Sequence, residues 1–264
     1  MVSLRSILAF IWLDFKDWLS YGYEVFFWFL NIIVGAITYA YVGNNVSLRE
    51  SFALLPYGGN FLAFLLVGMA FNDFIVASLN APREVLNPWS LEWKLTMPCS
   101  LLDAIIGSVW FRYMASTVQL VIYFLFGLVF GVRYEVNLPA AILVLLFGMA
   151  AMWGFGLLSA SIQITTKRWD PIIWLFTTMG WLLGGVWFPV QFLPDTLKIL
   201  SAIMPQTYIL DMLRRSLLMA ASITDMLPSL MSLLVLAFII DSIGILAIRW
   251  GLRIAKRQGT IGYY

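Results

Sequence analysis

Residues 139–165, PAAILVLLFGMAAMWGFGLLSASIQIT, carry no charged side chain. A helix needs about 20 apolar residues to cross the roughly 30 Å hydrocarbon layer, and this run exceeds that. It lacks the apolar–polar alternation of a membrane barrel strand, so the backbone must satisfy itself within a helix. The rest of the chain agrees: 62% of its 264 residues are apolar and 11% charged, more apolar surface than a soluble globule of this size can hide.

Similar runs place spans near 21–42, 59–80, 101–130, 139–165, 171–189 and 227–249. The third is too long for one straight crossing and is expected to begin outside the hydrocarbon or to tilt. Lys and Arg stay on the cytoplasmic side. With both termini inside, eleven of the sixteen cations fall on that side: Arg5, Lys16, Arg83, Lys94, Arg112, Lys167, Arg168, Arg249, Arg253, Lys256 and Arg257. Arg49, Arg133, Lys198, Arg214 and Arg215 fall outside. A multi-pass protein of the cell membrane with both termini cytoplasmic follows. One membrane domain over 1–264 is expected, because no linker, repeat or composition break divides the chain.

Several functions are disfavoured. The net charge of +2 is modest, and the basic tail from Arg249 to Arg257 suits acidic lipid better than nucleic acid. A lone Cys99 excludes an internal disulfide. The absence of His removes the commonest metal ligand and general base, so no metal site and no catalytic constellation are expected. Gly is nowhere followed by Lys, so no loop cradles a nucleotide phosphate.

Residues 1–20 read as an amphipathic interface helix. Leu4, Ile7, Leu8, Ile11, Trp12, Phe15, Trp18 and Leu19 form one stripe, opposite Ser3, Ser6, Asp14 and Asp17. Such a helix serves either as a membrane float or as an elbow that docks a cytoplasmic partner. A second short helix is expected in the inner loop 82–98, where Pro88 and Pro98 bound Trp89 to Met97 and Glu92 and Lys94 keep it out of hydrocarbon. Leu91, Trp93 and Leu95 give it an apolar face, for a groove on a cytosolic protein or for the interface itself.

Between Gly184 and Arg215 the chain changes character. Pro189, Pro194 and Pro205 break helix while Gln191, Asp195, Lys198, Gln206 and Arg214 interleave. The region 190–226 is expected to dip and climb as re-entrant extracellular half-helices before the last span, the alternative being an amphipathic outer loop resting on lipid. Three charges fall within spans at comparable depth, Asp73, Arg112 and Asp241, either pairing, Asp73 with Arg112, or facing water along a path. Tyr21, Tyr23, Tyr39 and Tyr41 sit near span ends as an interfacial belt, while Tyr39, Phe176, Thr177 and Trp181 are candidates to line a substrate path. Thr177, Gly180 and Gly184 mark one small-residue face and Gly127 with Gly131 another, for packing within the chain or against a second copy. Asn45-Val46-Ser47 matches a glycosylation acceptor triplet, a pattern that also arises by chance.

Gly185, Pro189, Leu193-Pro194, Pro205, Thr207, Tyr208, Asp211 and Arg214, together with Leu91, Glu92 and Pro98, give the chain a pattern that resembles the permease subunit of the type-2 ABC exporter family. It departs from that pattern at Trp89, Lys94 and Met97. The resemblance implies an all-α integral membrane protein of about six transmembrane helices, with an N-terminal interface helix and a cytoplasmic coupling helix. It implies a homodimer or heterodimer of permeases in membrane lipid, driven by a cytosolic ATPase subunit that binds the ATP and Mg. Arg83, Glu84, Leu91, Glu92 and Trp93 would contact that subunit; Pro189, Pro194, Pro205, Tyr208 and Arg214 would form an extracellular gate. The expected activity is outward transport of an amphipathic or apolar compound, a drug or lipid, without covalent chemistry in this chain. A glycan or glycolipid exporter is the alternative, and a secondary transporter a more distant one.

Overall fold

The computed structural model describes residues 3–45, 52–85, 101–166 and 170–258. Among them every regular element is helical. In chain order these are α1 (Leu4–Ser20), α2 (Gly22–Asn45), α3 (Phe61–Val85), α4 (Leu101–Val129), α5 (Leu138–Thr166), α6 (Pro171–Leu183), α7 (Asp195–Ile203), α8 (Pro205–Leu218) and α9 (Leu227–Gln258). Tight 3-10 turns lie at Phe52–Tyr57, Val190–Phe192 and Thr224–Met226.

Five of these helices, α2, α3, α4, α5 and α9, are long and apolar enough to cross a membrane. The protein is therefore a helical membrane protein. The expected fifth span, 171–189, is corrected: its helical run Pro171–Leu183 reaches only about 20 Å at 1.5 Å per residue, short of the roughly 30 Å hydrocarbon layer. The third expected span is one helix, and its apolar stretch Val109–Val129 begins two turns after Leu101. The last runs to Gln258, beyond the expected end at 249, and carries Arg249 and Arg253.

α3 is the centre of the bundle. Its apolar window is 89% buried, whereas those of α2, α4 and α9 are 17–22% buried and turn most of their surface outward. Asn60 starts α3 by accepting the Ala63 N–H (3.2 Å), and Asn137 starts α5 by accepting that of Ala140 (3.3 Å), the usual way to satisfy first-turn donors. A polar relay crosses the interior: Trp153 of α5 donates to the Tyr113 hydroxyl of α4 (3.0 Å), which donates to Ser78 of α3 (3.1 Å), which donates to the Phe74 carbonyl (2.7 Å). Such interhelical bonds each contribute about 0.6–2 kcal/mol in membrane bundles.

Small residues set the closest helix approaches. A Cβ on Gly244 of α9 would lie 2.5 Å from the Gly154 carbonyl oxygen and 3.1 Å from Leu157 Cβ of α5, and Ser161 donates to the Ala247 carbonyl nearby (2.7 Å). Of the two small-residue faces expected from sequence, Gly184 and Gly127 pack within the chain, whereas a Cβ on Gly131 would meet nothing within 4 Å. Gly184 lies against Gln206 of α8 and Gly127 against Leu66 and Tyr134. Gly131, at φ +80°, closes α4 by a Schellman turn, with Val132 N–H on the Gly127 carbonyl (2.8 Å) and Gly131 N–H on that of Leu128 (3.1 Å).

α1 has the expected extent and packs on α4, but its stripe is divided. Ile7 and Phe10 are buried, Phe10 lying outside the expected set, while Leu4, Leu8, Trp12 and Leu19 are exposed. The cause is Gly107: a Cβ there would lie 3.0 Å from the Ile7 carbonyl oxygen and against Phe10, so α1 settles onto a notch in α4. Asp103 of α4, buried, accepts the Ser3 N–H (3.1 Å) and fixes the start of α1.

The Gly244 contact carries a test. Gly244→Leu should separate α5 from α9 and lower the thermal unfolding midpoint of the purified protein, since overpacking costs about 1–3 kcal/mol. An unchanged midpoint would remove this contact from the account.

Candidate functional site

α6 begins and ends on side chains supplied from elsewhere. Asp170 caps it by accepting the N–H groups of Ile172 (2.9 Å) and Ile173 (3.4 Å), with Pro171 in the first turn where no donor is missed. The same carboxylate accepts the Ser159 hydroxyl of α5 and lies 3.8 Å from the Arg83 guanidinium of α3. Within α6, Leu175–Met179 widen into a π-turn. The helix ends at Gly184, and Gly185 reverses the chain at φ +69°.

A helix that ends in a buried place leaves carbonyls without donors, each costing about 1–3 kcal/mol. Here side chains from the following segment meet three carbonyls at the break. Ser201 (2.5 Å) and Thr207 (3.2 Å) donate to the Leu183 carbonyl. Arg214 of α8 donates from Nη1 to the Gly185 carbonyl (2.8 Å), from Nη2 to that of Val186 (2.9 Å) and from Nε to that of Phe64 in α3 (3.1 Å). Its guanidinium carbon lies 3.4 Å from the Phe64 ring centroid, a cation–π contact. Arg214 is 2% exposed. A guanidinium keeps its charge even in so dry a place. A Cβ on Gly68 would lie 2.7 Å from the Val186 carbonyl oxygen and against Arg214 Nη2, so only glycine leaves room for the guanidinium.

The neighbouring turn of α8 is tied down as well. The Tyr57 hydroxyl donates to Asp211 (2.6 Å), and Arg215 pairs with the other Asp211 oxygen (3.2 Å). Burial, then the Asp211 carboxylate, pushes the Tyr57 hydroxyl above its ordinary range, which keeps it a donor. Beyond it, the Asn137 N–H bonds the Ser216 carbonyl (2.7 Å) and the Ala220 N–H that of Glu135 (2.8 Å). The α2–α3 turn, the α4–α5 turn and residues 184–226 thus gather at one end, opposite α1.

Distance along α3 places the break. Gly68 lies seven residues, roughly 10 Å, inside the start of α3. Asn72, whose Oδ1 accepts from Gln206 Nε2 (2.6 Å), lies roughly 16 Å inside it. α8 therefore starts deep beside α3 and climbs to its end, where Leu218 meets Gly58. The expected gate residues fall on this path. Pro189 and Pro194 precede the next two short helices and Pro205 opens α8. Tyr208 donates to the Ala202 carbonyl (2.9 Å), and Arg214 joins α8, α3 and the break.

Other expected residues are distributed differently. The partner of Asp73 on α4 is Gln119; Arg112 lies seven residues, roughly 10 Å, toward the start of that helix, which corrects their expected common depth. Asp241 of α9 faces α5 at Gly154, where a Cβ would lie 2.7 Å from the Asp241 N atom. Phe176 is 3% exposed and packs on Phe155, centroids 4.4 Å apart, so it fills core rather than lining a path. Thr177 bonds the Ile173 carbonyl (2.7 Å), Trp181 meets Trp187 edge to face at 5.6 Å, and Tyr39 lies on another helix beside Tyr123 (6.4 Å). The four do not converge.

At the α1 end, Arg83 pairs with Asp170 within the chain, and α3 continues through Pro82 to Val85, past the expected helix boundary at 82. Pro82 fits because a Cβ on Gly156 would already lie 2.8 Å from its Cδ. The side chain of Glu84 and all of Leu91, Glu92 and Trp93 lie outside the described residues, as does most of the Asn45 triplet. Sequence reading missed Asp170, Gln119, Ser201 and Asn72. Only Asp170 carried a signal, an Asp before Pro at a helix start.

A scan against protein-family models finds no match for this chain, and a search of curated proteins finds none.

The clamp predicts an order of effects. Arg214→Met strips the Gly185, Val186 and Phe64 carbonyls of their side-chain donor and should cost about 3 kcal/mol or more, against about 1 kcal/mol for Tyr57→Phe. Unfolding midpoints check this, and equal shifts would show that the carbonyl contacts do not carry the region.

Proposed function

We propose that the chain is the permease subunit of an ATP-driven exporter of the type-2 ABC class, moving an amphipathic or apolar drug or lipid outward by alternating access. The observation that carries this reading is the interrupted α6, whose carbonyls at 183, 185 and 186 are caught by side chains of α7 and α8 deep beside α3. Non-helical backbone at membrane depth persists only where protein or a water-filled path covers it, which is the form expected of a gate. In this reading α7 and α8 are re-entrant half-helices roofing the outer end, and the α1 end is cytoplasmic, as the cation distribution favours.

The reading also supplies a route for coupling. The inner segment after α3 would receive a cytosolic ATPase subunit, which binds ATP and Mg. A pull on that segment moves the last turn of α3, and Arg83 passes the displacement to Asp170 at the start of α6. α6, weakened by its π-turn, would shift against α8 and release or seat the carbonyls held by Arg214. A second permease copy, the same or related, completes the path. α1, with Leu8, Trp12 and Leu19 exposed and Lys16 over the Trp12 ring at 5.4 Å, suits an interface position in lipid.

Two measurements follow. Glu92→Arg should lower recovery of the ATPase subunit or stimulation of its turnover, with the permease still folded; unchanged coupling would count against the docking assignment. Pro205→Ala should reduce export while leaving membrane insertion intact, and wild-type export by that variant would remove the gate.

A further inference from the structure

Next to α1 the surface of the bundle holds two adjoining clefts. One, of about 770 Å³, is lined by Ser20, Tyr21, Gly22, Tyr23, Glu24, Phe26 and Phe27. The other, of about 450 Å³, lies between α2 and α4 and is lined by Glu24, Phe27, Trp28, Asn31, Ile32 and Gln119. They share Glu24 and Phe27, so one groove rises from the α1–α2 corner toward the middle of α2. Gln119 at its head hydrogen-bonds the Asp73 carboxylate behind it, with Tyr39 and Tyr123 packed together one helical step higher.

The polarity of this groove is unusual for its place. Glu24 and Asn31, seven residues apart and on one face, are exposed on a helix that turns most of its surface to lipid. No Lys or Arg lines either cleft. Glu24 stands in the first turn of α2, at the end beside α1, where a carboxylate attracts a cation, and aromatic faces such as Trp28 do the same while disfavouring anions. Phe26, Phe27 and Ile32 supply apolar contact for the body of the same ligand.

We propose that this groove is a binding site for a lipophilic monovalent cation, with the cationic centre against Glu24 and the apolar body on Phe27, Trp28 and Ile32. The amides of Asn31 and Gln119 orient polar groups at the inner end. That this cation is cargo rests on the exporter reading; the site itself does not.

The test uses the full-length chain purified without any ATPase subunit, with tetraphenylphosphonium as probe and tetraphenylborate, of the same shape and opposite charge, as control. Tetraphenylphosphonium should bind saturably, and Glu24→Gln should weaken it about tenfold or more, the scale of a single lost ionic contact of about 1.4 kcal/mol. Glu24→Asp should retain most of the affinity and Asn31→Leu should weaken it less than Glu24→Gln, with each variant eluting as the wild type on gel filtration. Equal affinity in Glu24→Gln, or saturable binding of tetraphenylborate at the same site, would overturn the assignment. Cation binding in a chain that recruits no ATPase would leave the site standing and remove the exporter reading alone.

Discussion

Arg214 is the contact on which the arrangement of the upper half of the molecule depends. A charged side chain in so dry a place is costly unless its donors are used, and three of them are spent on carbonyls from two different elements. Among the described residues no carboxylate lies within ion-pair distance of it. The arrangement works in both directions: the guanidinium is solvated by the broken end of α6, and the broken end is capped by the guanidinium. Lysine, a point charge without the planar fork, cannot make this set of bonds. The constraints beside it follow: a glycine at 68 to admit the group, a glycine at 185 to turn the chain, and Asp211 engaged by Tyr57 and Arg215 rather than by Arg214.

The opposite end of α6 is held in a different manner. Asp170 gathers Ser159, Arg83 and the first-turn amides of α6, so three helices meet at one carboxylate. Arg83 is about one third exposed and 3.8 Å away, so that link is weak and easily broken, whereas the Arg214 contacts are buried and short. A helix of 13 residues pinned firmly at one end and loosely at the other, with a π-turn between, is suited to movement. α3, wrapped on all sides, is the fixed reference beside which it would move.

Much of this was legible in the sequence where the responsible interaction is local. Long apolar runs located α2, α3, α4, α5 and α9, because hydrocarbon imposes its length on any helix that crosses it. Pro194 and Pro205 were legible as breaks, and α7 and α8 begin at them, because proline is tolerated in the first turn of a helix and disrupts its interior. The end of α6 was not legible at its position. Residues 171–189 read as one apolar span, and what stops the helix after Leu183 is a glycine turn stabilised by an arginine 29 positions from Gly185. Gln119 escaped notice because a search for intramembrane charges passes over amides, so Asp73 was assigned to Arg112. Phe176 was placed on a path because aromatic identity does not reveal which way a ring faces.

The central claim is that the break at Gly184–Val186 is buried and kept so by Arg214. It is tested most directly by replacing Cys99, placing a single cysteine at Val186, which is 0% exposed, and following its labelling by a membrane-impermeant maleimide in intact cells. The cysteine should be unreactive with Arg214 present and should become labelled when Arg214→Lys is added. Labelling to the same extent in both backgrounds, or in neither, would contradict the account.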